Sequence, residues 1–313
     1  MTAAPLPRIA ALCGPTASGK TALTVALRAR GLPVEVVSCD ALQVYRQLQA
    51  GTAKPNAAER AAVPTHLVDI ADPTEAMTAG RWAELATAAI ADIGARGAWP
   101  LVVGGTGLYY RALVRGLAQI PQTDPALRAQ LQDRWSTAGA EALHAELAVV
   151  DPQYAAATPV ANRQRVLRAL EVAVATGISL SGWHARTPPP RFAVWLAVLE
   201  PDASRHAQLV EHRARAMAAP LLAEVAALLA QGIAPTAPAM QALGYRDAAQ
   251  VHTAGADAPM FADRLARDHA QYAKRQRTWF RSEAANLRLD PEADGAVARI
   301  ATELAAWFVK GPG

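Results

Sequence analysis

Three short stretches carry the residues with chemistry to offer. Gly14-Pro15-Thr16-Ala17-Ser18-Gly19-Lys20-Thr21 fits the pattern GxxxxGK[ST]. Glycines let successive backbone N–H groups converge on one cavity, and a helix beginning there adds the positive end of its dipole. Lys20 supplies a full charge to phosphate oxygens, and the Thr21 hydroxyl suits magnesium. The pattern says that a phosphate chain is bound, without saying which molecule carries it or which bond breaks. Asp40 follows an apolar run and has three open roles: a magnesium ligand through water, a general base toward an acceptor, or a turn cap. Thr106, inside Gly104-Gly105-Thr106-Gly107, is placed to cap a helix, to face the reacting phosphate, or to do both.

These residues need elements that bring them together. Arg8 to Cys13 is an apolar run suited to a buried strand, and Lys20 to Arg30 follows as a helix. Strands are expected at Val34 to Ser38, His66 to Ile70 and Leu101 to Val103, with a helix over 78–96 between the last two. Alternation of this kind predicts an α/β fold, a parallel sheet with helices on both faces. Ligands of such sheets gather at the carboxyl ends of the strands, which is where the phosphate loop, Asp40 and Thr106 would all lie.

The pattern changes after Gly116. Ile120-Pro121-Gln122-Thr123-Asp124-Pro125 is rich in breakers, and helices are expected at 125–136, 139–149 and 161–176. The chain returns to the sheet with a strand at Phe192 to Leu199. Residues 121–190 therefore read as a helical insertion into a core made of 1–120 and 191–313. Two more helices are expected, over 259–283 and 293–309.

Composition narrows the function classes. Apolar residues make up 52% of the 313, enough for a large core and too many for wholesale disorder. The longest clean apolar run has eight residues, Phe192 to Leu199, where a membrane span needs about 20, so no span and no signal peptide is expected. Cys13 and Cys39 form no disulfide framework and no zinc motif, which points to a reducing cytoplasm. The net charge of +4, carried mainly by arginine, hints at a polyanionic partner.

Taken together and in order, GPTASGKT at Gly14 to Thr21, Asp40 to Tyr45 with GTAKP at Gly51 to Pro55, His66 to Asp69, GGTGLY at Gly104 to Tyr109, NRQRVLRALE at Asn162 to Glu171, Gly244-Tyr245-Arg246, and KRQRTWFR at Lys274 to Arg281 resemble the bacterial tRNA dimethylallyltransferases. The resemblance runs from about residue 8 to 281. It implies a P-loop kinase-like parallel sheet carrying a helical insertion. It also implies transfer of a dimethylallyl group from dimethylallyl diphosphate to N6 of an adenine beside the anticodon, with magnesium assisting and diphosphate leaving. Asp40 is then the base, Thr106 lies between the leaving oxygen and the incoming adenine, Gly14 to Thr21 hold the diphosphate, and Thr21 meets the magnesium. The tRNA anticodon stem-loop is placed against Asp40, Ala41, Leu42, Gln43 and Thr106, and against Arg128, Gln164, Arg165 and Arg168. It is placed likewise against Gly244, Tyr245, Arg246, Lys274, Arg275, Gln276, Arg277 and Arg281. Lys274, Arg277 and Arg281 share one helical face. The plainer readings are a solvated basic face, and Arg165 and Arg168 pairing with Glu171. At least two of Tyr272, Trp279 and Phe280 are expected in the core.

The chain departs from the usual pattern at Ala41, where serine is common, at Arg163, where aspartate is common, and at Thr65 and His269-Ala270. A monomer is expected. Competing functions are a P-loop kinase of a small metabolite or nucleoside, an adenylate prenyltransferase, and an inactive RNA-binding protein. A small-molecule enzyme needs neither the insertion nor the basic run at 271–281.

Overall fold

The computed structural model describes residues 6–254 and 258–310. The chain forms two compact units, one made of Met1–Val114 with Arg191–Gly313 and the other of Arg115–Pro190.

The first unit is built on β1 (Arg8–Cys13), α1 (Lys20–Ala29), β2 (Val34–Cys39), α2 (Ala57–Ala62), β3 (Thr65–His66), α3 (Ala79–Ala95), β4 (Trp99–Gly104) and α4 (Gly107–Arg115). The second unit contributes α5 (Pro125–Val150), α6 (Pro152–Ala156), α7 (Arg163–Thr176) and α8 (Leu180–His184). The chain returns to the first unit with β5 (Ala193–Leu199), α9 (Ala203–Ala230), α10 (Tyr245–Ala254), α11 (Ala258–Arg281), β6 (Leu287–Leu289) and α12 (Ala296–Ala305).

The sheet is six-stranded with the order β3-β2-β4-β1-β5-β6, and every pairing is parallel. β1 sits inside it, and alternate β1 residues feed two different cores. Ile9, Ala11 and Cys13 join the core that includes Trp82, Leu113 and Leu221. Ala10 and Leu12 join the core that includes Leu27, Trp195 and Ile300. A strand apolar on both faces is what a doubly covered parallel sheet requires.

Two expectations are corrected. The strand expected over 66–70 ends at His66, because Leu67 and Asp69 adopt left-handed backbone (φ 63° and 57°) that no strand continues through. Residues 293–309 are not one α-helix: α12 starts after Gly295 and gives way to a π turn at Ala306–Lys310. In the second unit α5 is broken at Gly139 (φ 86°), which separates the two expected helices without a loop. That unit has its own core of Leu131, Leu143, Leu147, Val166 and Leu170. Asp151 joins its short helices, accepting from the Tyr154 N–H at 3.1 Å and the Ser181 N–H at 2.8 Å.

Candidate active site

The phosphate loop leaves β1 at Cys13 and enters α1 at Lys20. Ala17 and Gly19 take positive φ (59° and 75°), which turns neighbouring peptide N–H groups toward a common side. Lys20 Nζ donates to Gly14 O at 3.0 Å, Pro15 O at 2.6 Å and Ser18 Oγ at 3.3 Å. Burial pushes the Lys20 ammonium down to about 8, Asp40 pulls it back up, and Arg213 opposes it. The two thiols are buried strand residues, and burial raises both, Cys13 to about 12.

Asp40 follows β2 directly. Its Oδ1 accepts from the Leu42 N–H at 2.8 Å and the Gln43 N–H at 3.3 Å, and neither bond uses Oδ2. Burial raises the carboxyl, while those two N–H groups and the charges of Lys20 and Lys54 pull it down. A carboxylate made more basic in this way is a better proton acceptor. Thr106 meets the same turn: its Oγ1 accepts from the Ala41 N–H at 3.1 Å, and its side chain is hydrogen-bonded to Tyr272. The two strand ends are thus tied hydroxyl to backbone, beyond the helix-capping role open to Thr106.

The GTAKP stretch forms the neighbouring wall. Gln43 accepts from Ser38 Oγ at 2.8 Å and donates to Thr52 O and Ala53 O at 3.3 and 3.2 Å. Lys54, almost wholly buried, donates to Tyr45 O at 2.5 Å and Asp69 Oδ1 at 2.6 Å. Tyr245 on α10 donates to Glu224 Oε1 at 2.7 Å and accepts from the Gly51 N–H at 3.2 Å. Only glycine fits at 51, since a Cβ there would lie 2.5 Å from the Tyr245 ring.

These pieces enclose a cavity of about 500 Å³, within the size range of small-ligand sites. Its cationic end has Lys20, Thr21 and Arg213, and Asp40 lines the same space. Val210, Ala214 and Met217, one face of α9, join Leu243 as an apolar wall. Sequence reasoning missed Arg213 and this wall. Their spacing of three and four residues was visible, yet it marks any buried helix face. Among the described residues no cluster of three or more His, Cys, Asp or Glu forms a metal cage. The available hard donors are the Thr21 hydroxyl and the Asp40 carboxylate, a set that fits a magnesium ion retaining waters and taking its other ligands from substrate phosphates.

The residues nominated for RNA separate into groups. Ala41, Leu42 and Gln43 line the cavity beside Asp40. Lys274, Arg275 and Arg281 are exposed on α11 and Arg277 is partly so. No ion pair among the described residues engages these four cations. Arg246 is exposed beside Asp247, at 4.0 Å. Arg128, Gln164, Arg165 and Arg168 belong to the second unit. There Arg168 pairs with the buried Glu171 at 3.0 Å and Arg128 approaches it at 3.9 Å, while Gln164 and Arg165 are exposed. Thr123 Oγ1 donates to the same Glu171 carboxylate.

Three of the nominated residues are buried. Gly244 and Tyr245 are buried, and the Tyr245 hydroxyl is committed to Glu224 and Gly51. Gln276 is buried too, accepting from the Thr16 N–H at 2.8 Å and donating to Gly105 O at 3.0 Å. Of the aromatic residues, Phe280 is core and Trp279 packs against it under the Arg111 guanidinium, 4.3 Å from the ring centre. Tyr272 lines the cavity instead.

A parallel sheet with this strand order, a phosphate loop after the inner strand β1 and a carboxylate lining the same cavity define a P-loop α/β protein. An IPP transferase family model matches residues 43–283, and an isopentenyl transferase model matches residues 7–66. A tRNA dimethylallyltransferase of Methylococcus capsulatus is 42% identical over 311 residues, covering 98% of this chain and 99% of the relative. One of Methylibium petroleiphilum is 49% identical over 282 residues, covering 86% and 85%. The crystal structure of a tRNA isopentenylpyrophosphate transferase from Bacillus halodurans superposes with a TM-score of 0.70 at 34% identity, covering 96% of each chain. A eukaryotic dimethylallyltransferase crystallised acting on tRNA shares the fold, with a TM-score of 0.77 at 23% identity over 98% of this chain and 80% of its own. The chain belongs to the IPP transferase family.

Proposed function

We propose that this protein transfers a dimethylallyl group from dimethylallyl diphosphate to the exocyclic N6 of the adenine on the 3′ side of a tRNA anticodon, releasing diphosphate. One observation carries the reading: a single cavity holds the cations Lys20 and Arg213, an apolar wall of Val210, Ala214, Met217 and Leu243, and the raised carboxyl of Asp40. The relatives that match nearly the whole chain are tRNA dimethylallyltransferases.

The chemistry follows from what each group does. The bond from the allylic carbon to its diphosphate oxygen breaks, and charge builds on the leaving group. Lys20, Arg213 and the loop N–H groups neutralise that charge. Magnesium, held at Thr21 and by phosphate oxygens, would add further neutralisation there. The adenine amino group is a weak nucleophile, so it must be positioned and must lose a proton as the new N–C bond forms. Asp40 accepts that proton, and its Oδ1 contacts to the Leu42 and Gln43 N–H groups orient it. The Ala41 N–H bond to Thr106 ties the turn that carries Asp40 to the turn that follows β4. Val210, Ala214, Met217 and Leu243 line one side of the hydrocarbon and keep water from that side, where it would otherwise take the allyl group.

The adenine must leave its stack to reach this carbon, at a cost of a few kcal/mol. The exposed cations of α11 are the groups that hold the displaced strand. A tRNA substrate and two reduced cysteines suit the cytoplasm, with the protein acting as a monomer.

The test is incubation with labelled dimethylallyl diphosphate, magnesium and either total tRNA or adenosine monophosphate. Label is expected in N6-dimethylallyladenosine from the tRNA digest. Label on the mononucleotide alone would make the protein an adenylate prenyltransferase. ATP-dependent phosphorylation of a small acceptor, with the prenyl donor ignored, would make it a kinase.

A further inference from the structure

We propose that Gln276 and His206 are positioning residues of the diphosphate cradle, holding Thr16 by its N–H and its carbonyl, which belong to two successive peptide groups of the loop. The proposal deepens the function above and rests on it.

The Thr16 N–H donates to Gln276 Oε1 at 2.8 Å. On the other side of the same residue, Thr16 O receives a hydrogen bond from His206 Nε2 at 2.7 Å. A carbonyl only accepts, so Nε2 carries the imidazole proton. His206 is wholly buried, and its Nδ1 has no partner among the described residues. Burial and the nearby charges of Arg277 and Lys20 keep the ring neutral, so it serves as a donor without adding charge.

Gln276 does a second thing. Its Nε2 donates to Gly105 O at 3.0 Å, so one side chain ties the phosphate loop to the turn that carries Thr106. The approach is close enough that a Cβ on Gly105 would lie 2.2 Å from that nitrogen. The leaving-group side and the acceptor side of the cavity are thereby linked through one buried amide. The two bonds fix two successive peptide planes, Pro15–Thr16 through its N–H and Thr16–Ala17 through its carbonyl, so neither plane can flip without breaking one of them. With the Thr16 N–H taken, the N–H groups that meet the diphosphate come from the rest of the loop.

This divides the basic KRQRTWFR run between two tasks. Successive helical residues point about 100° apart, so a buried Gln276 is compatible with exposed Lys274, Arg275 and Arg281. The alternative is that Gln276 contacts RNA, as its place in the run suggests. The two readings move different binding constants.

The experiment compares wild type with Gln276→Met, Gln276→Glu, His206→Leu and His206→Gln. Thermal melting, affinity for inorganic pyrophosphate with magnesium, affinity for tRNA, and KM for dimethylallyl diphosphate are measured on each. Gln276→Met and His206→Leu are expected to weaken pyrophosphate binding and raise the donor KM by about tenfold, the scale of a lost buried hydrogen bond, with tRNA affinity within about twofold. His206→Gln keeps an N–H donor and is expected to recover most of the loss. Gln276→Glu keeps the acceptor for Thr16 but sets a carboxylate against the Gly105 carbonyl and the bound anion. It is expected to lose pyrophosphate affinity as well, so the conservative variants carry the test if the others fail to fold. Unchanged pyrophosphate affinity in the folded variants overturns the proposal, as does a loss confined to tRNA. Pyrophosphate binding is read on the free protein, so it stands or falls separately from transfer to tRNA.

Discussion

Raising the pH past about 8 is expected to cripple the phosphate loop while the fold stays intact. Burial pushes Lys20 from an ordinary 10.5 to about 8, so near that pH half of the molecules lose the ammonium. Above it, the charged fraction in the free enzyme falls about tenfold per pH unit, and kcat/KM for the prenyl donor falls with it. Bound diphosphate stabilises the ammonium, so the alkaline limb of kcat lies at higher pH than that of kcat/KM. Stability moves the other way. The folded value lies below the unfolded one, so from pH 8 to 10.5 the unfolded chain holds the extra proton, and Lys20 adds stability as pH rises. Asp40 is the neighbour that pulls Lys20 up, so Asp40→Asn should shift whatever alkaline limb remains to lower pH. The assay is kcat/KM for dimethylallyl diphosphate from about pH 6 to 10, with melting temperatures in parallel and Lys20→Met as the control. An alkaline limb at the position of an ordinary lysine, or the same limb in Lys20→Met, would refute the assignment.

Other outcomes are expected. Asp40→Ala should lower turnover by about 10² or more while tRNA affinity stays within about tenfold, the pattern of a lost proton acceptor; near-normal turnover would remove Asp40 as the base. Because burial raises Asp40, turnover should also fall as pH drops through its elevated value, and this acid limb should be absent in the residual activity of Asp40→Asn. tRNA binding should weaken steeply with salt, and Lys274→Ala or Arg277→Ala should each reduce the log–log slope by about 0.7 to 0.9. Unchanged slopes in both variants would take α11 off the RNA. Gly51→Ala drives a Cβ into the buried Tyr245 ring and should cost about 1–3 kcal/mol in denaturant unfolding. Tyr245→Phe should lower stability without changing tRNA affinity.

The chemistry of the loop was legible because it is local. An apolar strand, a glycine-rich turn and a lysine at the start of a helix lie within fourteen consecutive residues, Arg8 to Thr21, and the pattern needs no partner elsewhere. Asp40 and Thr106 were legible for the related reason that each lies within two residues of a strand's end, and parallel strands deliver their carboxyl ends to one edge. The three-residue β6 was not, since Leu287–Leu289 has too few residues to show a period and is a strand only by pairing with β5. The strand beyond His66 failed because an alternating pattern says nothing of the left-handed turns at Leu67 and Asp69.

The direction of side chains on long helices was settled by packing alone. In KRQRTWFR the charges advertise a surface, and nothing in their spacing singles out Gln276 as the residue turned inward to Thr16 and Gly105. Arg213 is an exposed helical arginine, and only the placement of α9 beside the cavity shows that it lines that space. Sequence therefore determined which groups stand at the strand ends, because backbone connectivity puts them there. Only the tertiary structure decided which distant helix faces complete the cavity, because those contacts join residues up to 260 positions apart, as in the bond from Thr16 to Gln276.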